Sequence, residues 1–283
     1  MELLRSLAAL AEPPGRETPG IAELLRLGTP PEPVDYDDLF LFQLYPYASV
    51  YLGPEGMLGG EARDRIAGFW RVLEQTPPPE SDHLSLVLAL YARLCELEEE
   101  TADAETASRW RHLRTTFLWE HIVSWVPVYL EKLQEIASPF YRAWGDLLRE
   151  VLQQEVSEIG QPDILPLHLR EAPALLDPTA EGGEAWLDSL LSPVRSGILL
   201  VRSDLVRAGR DLQLATRVAE RRYALKALLG QDPASTLDWL ANEAGSWQER
   251  HLRWHDLSGS IADFWSNRAA TAAERLHTAR QQL

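Results

Sequence analysis

The stretch Leu44-Tyr45-Pro46-Tyr47-Ala48-Ser49-Val50-Tyr51, together with Pro77-Pro78-Pro79-Glu80-Ser81-Asp82-His83-Leu84, decides the fold of this chain. The three prolines end whatever precedes them, because proline lacks the backbone N–H that a helix interior needs. Ser81 is predicted to be the N-cap of the next helix, and Asp82 places a carboxylate at its positive end. The residues that follow are apolar on nearly all sides at helical spacing, which predicts a central helix of a bundle. They are Leu84, Val87, Leu88, Tyr91, Leu94 and Cys95.

The remaining apolar periodicity is helical throughout, and no alternating strand pattern of useful length occurs. We therefore predict an all-α fold: a helical bundle with an additional C-terminal helical region. Four regions are expected. They are 1–34 (short helices and a Pro-rich linker), 35–160 (the helical domain), 161–183 (a loop) and 184–283 (the C-terminal helices).

The composition narrows the class of protein. The chain has 283 residues, 45% hydrophobic and 25% charged, which suits one large or two moderate globular domains. No apolar run approaches the roughly 18 residues that cross a bilayer. The N-terminus leads with Glu2 and lacks the basic segment of a secretory signal, and Cys95 is the only cysteine. We expect a soluble protein of the cytoplasm without membrane insertion.

The net charge of −16 is unevenly distributed. Residues 1–160 carry 27 acidic against 13 basic side chains, whereas residues 161–283 carry 16 against 14. An acidic first part argues against nucleic acid as its partner and favours a cationic one. The alternative, that the acids only keep the protein soluble, stays open.

Several pieces in order resemble the TorD/DmsD/NarJ family, the cytoplasmic chaperones that mature molybdenum-containing redox enzymes. The resemblance covers roughly residues 35–158, and the segment before it is shorter than the family usually has. The matching pieces are Asp38-Leu39-Phe40, Tyr45 to Tyr51, Pro79 to Leu84, Phe117 to Ile122 with Trp125, and Phe140-Tyr141 with Trp144 and Leu147.

The resemblance implies a chaperone that is not an enzyme and needs no cofactor of its own. Its partner would be a redox-enzyme subunit, held through its twin-arginine signal peptide or another unfolded segment until the metal cofactor is inserted, before export or assembly. A homodimer remains open. The expected peptide-binding residues are Tyr45, Pro46, Tyr47, Ser49, Tyr51, Asp82, His83, His121 and Trp125.

Asp82 and His83 also have a structural interpretation. Asp82 would then cap the helix, and His83 would hold the loop by a hydrogen bond. The two interpretations are compatible. Among the aromatic residues, Tyr47 and Tyr51 are expected to be the exposed ones, because they lie on an irregular loop.

The C-terminal region offers two further candidates. His251 and His255 are four residues apart on a predicted helix, which suits a metal, although no third ligand is obvious beyond Asp256. Arg217, Arg221, Arg222 and Lys226 form a basic stripe, which suggests an alternative function as a regulator with a nucleic-acid-binding C-terminal half. The interleaved Glu220 favours a solvated or salt-bridged face instead, and no catalytic signature occurs.

Overall fold

The computed structural model describes residues 1–162, 164–177, 182–216 and 219–283. Within these ranges the chain is helical and contains no β-strand, which confirms the predicted all-α class. The described chain forms two compact units. The first unit comprises Met1–Ser49 and Leu58–His168, and the second comprises Val50–Met57 and Leu169–Leu283. The four-part division drawn from the sequence stays a prediction.

The first unit begins with short helices and contains longer ones further along the chain. Two short helices, Ala48–Leu52 and Leu167–Glu171, continue from the first unit into the second. In chain order the elements are α1 (Glu2–Leu10), α2 (Thr18–Leu24), α3 (Pro33–Tyr36), a π-helical segment (Asp37–Gln43), α4 (Ala48–Leu52), α5 (Glu61–Val72), α6 (Leu84–Glu100), α7 (Ala104–Phe117), a second π-helical segment (Leu118–Val123), α8 (Val126–Ile136), α9 (Pro139–Ile159) and α10 (Leu167–Glu171).

Helix α6 is the centre of the first unit, as the sequence predicts. It packs against α1, α7 and the second π-helical segment. The six apolar residues that define the predicted stripe, Leu84 to Cys95, are each at most 1% exposed. The predicted cap is wrong. His83, not Ser81, is the N-cap, and its ring accepts the N–H of Ser85.

Short helix α1 belongs to the same core. It packs against both α6 and α9, and the indole Nε1 of Trp144 donates to the carbonyl of Leu7 at 3.0 Å. The ring of Phe40 packs edge-on against Tyr141 and Trp144 of α9, with centroid distances of 4.9 and 6.4 Å. The first π-helical segment is thereby anchored through Phe40.

The second unit is built around a pair of long helices. Helices α15 (Pro233–Leu252) and α17 (Ser260–Gln281) are antiparallel. Asp238, near the start of α15, pairs with Arg280, near the end of α17, at 3.2 Å. Gly197, at φ +71°, lies so close to α17 that a Cβ would collide with the backbone of Ala269. The helices are α11 (Gly183–Leu191), α12 (Pro193–Ser196), α13 (Arg202–Asp211), α14 (Arg221–Gln231), α15 (Pro233–Leu252), α16 (His255–Ser258) and α17 (Ser260–Gln281).

No helix in the described ranges is both long enough and apolar enough to span a bilayer.

A buried ionic network ties α7 to α6 and α9. The guanidinium of Arg114, 5% exposed, donates to Glu155 at 2.5 Å and to the hydroxyl of Tyr91 at 3.2 Å. The Tyr91 hydroxyl in turn donates to Glu155 at 2.5 Å. The third nitrogen of the guanidinium donates to Glu98 at 3.1 Å. Removing the arginine would therefore leave a buried carboxylate without its cation.

We expect Arg114→Met to lower the free energy of unfolding by about 3–5 kcal/mol, as is typical when one partner of a buried ion pair is removed. The matched control is Arg109→Met on the same helix, where the arginine is 71% exposed and pairs with Glu105. This variant should change stability little, because exposed pairs contribute little. Urea unfolding of both proteins makes the comparison, and equal stabilities would contradict the assigned role of Arg114.

Candidate functional site

The loop before α4 and the start of α6 are joined by backbone hydrogen bonds. The N–H of Ala48 donates to the carbonyl of Asp82 at 3.0 Å, and the N–H of Leu84 donates to the carbonyl of Pro46 at 2.8 Å. Tyr47 and His83 therefore face each other in an isolated antiparallel bridge. The structure thus brings together two stretches that are more than thirty residues apart in the sequence.

Asp82 caps a helix other than the one it precedes. Its carboxylate accepts the N–H of Ser49 at 3.1 Å, in the first turn of α4, while its carbonyl accepts the N–H of Ala48. It is 2% exposed. The hydroxyl of Ser49 accepts the N–H of Gly59 at 3.0 Å. Asp82 and Ser49 therefore hold the loop in shape, which agrees with the structural interpretation of this pair.

His83 is buried beneath Tyr47. The two rings meet edge to face at 4.9 Å, and the imidazole is 6% exposed. Nδ1 lies 2.7 Å from the hydroxyl of Ser85 and also accepts the Ser85 N–H at 3.3 Å. The Ser85 hydroxyl donates to the carboxylate of Glu12. Within the described residues Nε2 has no hydrogen-bond partner.

Burial lowers the pKa of His83, and the carboxylates of Glu12, Glu80 and Asp82 oppose the shift. The imidazole is therefore neutral at pH 7. Both the hydroxyl and the backbone N–H of Ser85 engage Nδ1, which leaves Nε2 for another molecule. The site thus holds one ring nitrogen without a partner among the described residues.

Exposed carboxylates lie close to Tyr47 and His83. The Tyr47 hydroxyl, on a half-exposed ring, donates to the exposed carboxylate of Glu80 at 2.8 Å. The carboxylate of Glu12 lies 3.6 Å from Nδ1 of His83, and its side chain is 51% exposed. Arg63, which pairs with Asp64 at 2.7 Å, is a cation close enough to interact with Asp82. The rim of the site is therefore predominantly acidic.

An apolar surface precedes the loop. Leu41 and Phe42, in the first π-helical segment, are 49% and 50% exposed, although their neighbours Leu39 and Phe40 are buried. The exposed carboxylates of Asp37 and Asp38 lie in the same segment. Sequence analysis missed Leu41 and Phe42, although a run of four apolar residues at the start of a loop is a signal that not all of them face the core.

Tyr36 links this segment to the acidic rim. Burial, together with the charges of Glu12, Asp37 and Glu80, raises the pKa of its phenol to about 12. Its ring stacks on Phe40 at 4.9 Å. The phenol therefore lies within the electrostatic reach of carboxylates on both sides.

The other tyrosines of the predicted site have different environments. Tyr45 is half-exposed, whereas Pro46 is buried and its carbonyl is used in the bridge to Leu84. The expectation that Tyr51 is exposed is wrong, since it is 1% exposed. The reason is that Tyr51 lies in helix α4 rather than on an irregular loop.

His121 and Trp125 lie around the second π-helical segment. The indole of Trp125 donates to the carbonyl of His121 at 2.8 Å, and Trp125 is fully buried. The imidazole of His121 contacts Phe69 and Phe117, both at 5.2 Å, and its Nδ1 has no hydrogen-bond partner. Burial, together with His168 and Arg65, lowers the pKa of His121 to about 3. Neither side chain can meet a ligand without repacking, so their assignment as binding residues stays a prediction.

The histidine pair of the second unit is separated by its surroundings. The Nε2 of His251 lies 2.8 Å from the carbonyl of Gly197, and burial lowers the pKa of this histidine to about 4. His255 is instead exposed, 3.6 Å from Asp263. In the described ranges no three His, Cys, Asp or Glu side chains are grouped to hold a metal ion.

The basic stripe of α14 is engaged within its own unit. Arg222 pairs with Asp188 at 2.5 Å and also with Glu184, which binds Lys226 as well. Arg221 donates to the carbonyl of Leu200 at 2.8 Å. Arg217 lies outside the described residues. The interpretation of this stripe as a salt-bridged surface thus has direct support in these pairs.

Comparison with known proteins concerns the first part of the chain. Residues 16–131 match the family model described as the nitrate reductase delta subunit. A protein of Haemophilus influenzae named probable Tat proofreading chaperone DmsD is 35% identical over 114 residues, covering 38% of this chain and 50% of that protein. The chaperone protein TorD of Shewanella pealeana is 31% identical over 148 residues, covering 45% of this chain and 62% of that protein.

The chain thus spans only about half to three-fifths of the curated relatives that it matches. The family model includes both the loop and the start of α6, the two stretches that meet at Tyr47 and His83. Residues 16–131 therefore resemble the TorD/DmsD/NarJ family, in agreement with the motifs of the sequence.

Proposed function

We propose that this protein is a cytoplasmic chaperone for a molybdenum-containing redox-enzyme subunit. It binds the twin-arginine signal peptide of that subunit, or another unfolded segment, and holds it until the metal cofactor is inserted, before export or assembly. The names of the two relatives, a Tat proofreading chaperone and a chaperone, support this proposal. The protein acts by binding, as neither an enzyme nor the carrier of a cofactor.

The junction of Tyr47 with His83 is the observation that carries the proposal. It combines a half-exposed tyrosine, a buried imidazole whose Nε2 has no partner among the described residues, and the exposed carboxylates of Glu12 and Glu80. An extended peptide offers backbone hydrogen-bonding groups to the imidazole and guanidinium groups to the carboxylates. Arginine pairs well with carboxylates because its planar fork can donate two parallel hydrogen bonds.

The apolar part of the peptide needs an apolar surface nearby. Leu41 and Phe42 provide one, on the segment that Tyr36 links to the acidic rim. Twin-arginine signals combine arginines with an apolar stretch, so an acidic rim beside exposed apolar side chains complements both parts. The excess of acidic residues in 1–160 would also attract a cationic peptide from a distance.

Asp82 has a positioning role in this proposal. Its carboxylate and its carbonyl are occupied by the amides of Ser49 and Ala48, so it keeps Tyr47 against His83 rather than contacting the peptide. Ser49 and Pro46 contribute in the same way through their own hydrogen bonds. The peptide would meet Tyr45, Tyr47 and His83.

A twin-arginine peptide from a molybdoenzyme of the same genome should bind the full chain with micromolar affinity or better, about 8 kcal/mol at the 1 M standard state. Isothermal titration calorimetry measures this directly. The control is the same peptide with both arginines replaced by alanine, which should bind more weakly. An absence of heat with the signal peptides of every molybdoenzyme in that genome would contradict the proposal.

Affinity for the peptide should fall as salt is added, because exposed charges are screened over about 8–10 Å at physiological ionic strength. Combining Glu12→Gln with Glu80→Gln should remove most of this salt dependence. Glu105→Gln, which neutralises an exposed acid on α7 that pairs with Arg109, is the matched control and should leave the dependence unchanged. A flat salt response of the unaltered protein would mean that these acids only keep the chain soluble.

Two substitutions separate recognition from support. His83→Asn should keep the melting temperature, because asparagine is also a favoured N-cap, yet weaken peptide binding by removing Nε2. Asp82→Asn should instead lower the stability by about 1–2 kcal/mol through the weakened cap, with affinity following stability. Thermal melting and titration on the same preparations test both. Unchanged affinity in folded His83→Asn would assign His83 a purely structural role.

A further inference from the structure

The second unit contains a cavity of about 590 Å³. This volume lies in the range of roughly 300–1,000 Å³ that is typical of small-ligand sites. Its apolar lining includes Pro54, Met57, Leu176 and Leu191, and its polar lining includes Arg195 and Arg221. All of the lining residues belong to the second unit, and all except Pro54 to Met57 lie outside residues 16–131, the stretch that matches the family model.

The walls of the cavity are fixed by hydrogen bonds. The segment from Gly53 to Met57 is held by Arg195, whose Nε donates to the carbonyl of Pro54 at 2.9 Å, and by the Ser192 hydroxyl, which donates to the carbonyl of Gly53 at 3.4 Å. On another side, the hydroxyl of Ser189 accepts the N–H of Leu176 at 3.2 Å. The cavity is therefore formed before any ligand arrives.

The charges inside the cavity are unequal in their exposure. Arg195 and Arg221 are half-buried, and each donates to a backbone carbonyl, of Pro54 and of Leu200 respectively. A carbonyl is neutral, so the contact with Pro54 leaves the guanidinium charge of Arg195 in place. The acids that line the cavity, Glu55, Asp188 and Glu220, are exposed, and Asp188 is already paired with Arg222.

Exposed charges are screened by water and salt, whereas half-buried charges are screened less. The charge of the half-buried Arg195 is therefore screened less than the charges of the exposed acids. Within the described residues, Arg195 has no carboxylate partner. An anion that entered the cavity would receive charge-assisted hydrogen bonds at little cost in reorganisation.

We propose that this cavity binds a carboxylate carried on an apolar body, with the carboxylate at Arg195 and the body against Met57, Leu176 and Leu191. A planar guanidinium matches a carboxylate in geometry, and the apolar side chains cover the remainder of the ligand. A small organic acid and the carboxyl terminus of an apolar peptide share this chemistry. The site does not depend on the peptide site proposed for the first unit.

The chain offers a specific probe, because its only two methionines are Met1 and Met57. Methyl-labelled methionine in the full-length protein therefore gives one NMR signal at the cavity and one reference signal. Titration with octanoate and with an N-acetylated leucine dipeptide bearing a free carboxyl terminus tests the two sources. One of these ligands, or both, should shift the Met57 signal and leave Met1 unchanged, whereas octanamide and the amidated dipeptide should have much less effect.

Arg195→Gln should weaken the bound carboxylate by about tenfold or more, because hydrogen bonds to charged groups are stronger than neutral ones. Arg210→Gln, at an exposed arginine of α13, is the matched control and should bind normally. Arg195→Lys keeps the charge and should retain part of the affinity, which guards against a variant that fails through misfolding. Equal shifts with the amides, equal affinity in folded Arg195→Gln, or no shift of Met57 at millimolar ligand would each overturn the proposal.

Discussion

The double acceptor role of Asp82 is the interaction on which the first unit depends. A helix start leaves amide N–H groups without partners, and two of those at the start of α4 are satisfied by one residue from a distant part of the chain. That residue directly precedes the N-cap of α6, so the starts of two helices are fixed by a single contact. Everything presented at the site, from the ring of Tyr47 to the imidazole of His83, takes its position from this arrangement.

Burial converts this structural contact into a place for recognition. His83 uses Nδ1 to cap α6, and its ring stacks beneath Tyr47, so that only Nε2 remains to interact with another molecule. A group fixed in this way loses little conformational entropy when it binds. Under the proposed function, the residues that the family resemblance singles out serve stability and recognition together, through different atoms of the same side chains.

Much of this architecture is predictable from the sequence because its signals are local. The apolar spacing of α6 and the prolines before it predict a central buried helix, which the structure confirms. The cap of α6 was misplaced because Ser81 is a good N-cap by type, yet its hydroxyl instead donates to the carbonyl of Arg63 at 3.2 Å. The burial of Tyr51 depends on tertiary packing, and no local pattern contains that information. The charge pairing of Arg222 and Lys226 with Glu184 is likewise invisible without the fold.

The excursion of Val50–Met57 into the second unit has a consequence for how the protein is made. These eight residues leave the ribosome long before residues 169–283, whose helices form the unit to which they belong. The second unit can therefore be completed only after residues 169–283 have been synthesised. Until then, an apolar segment that includes Tyr51 stays without its final neighbours. A cut after His168 would likewise not yield one intact unit and one remainder, because the first fragment would retain a piece of the second. The two units are separate as packed bodies, yet they are not separable as stretches of chain.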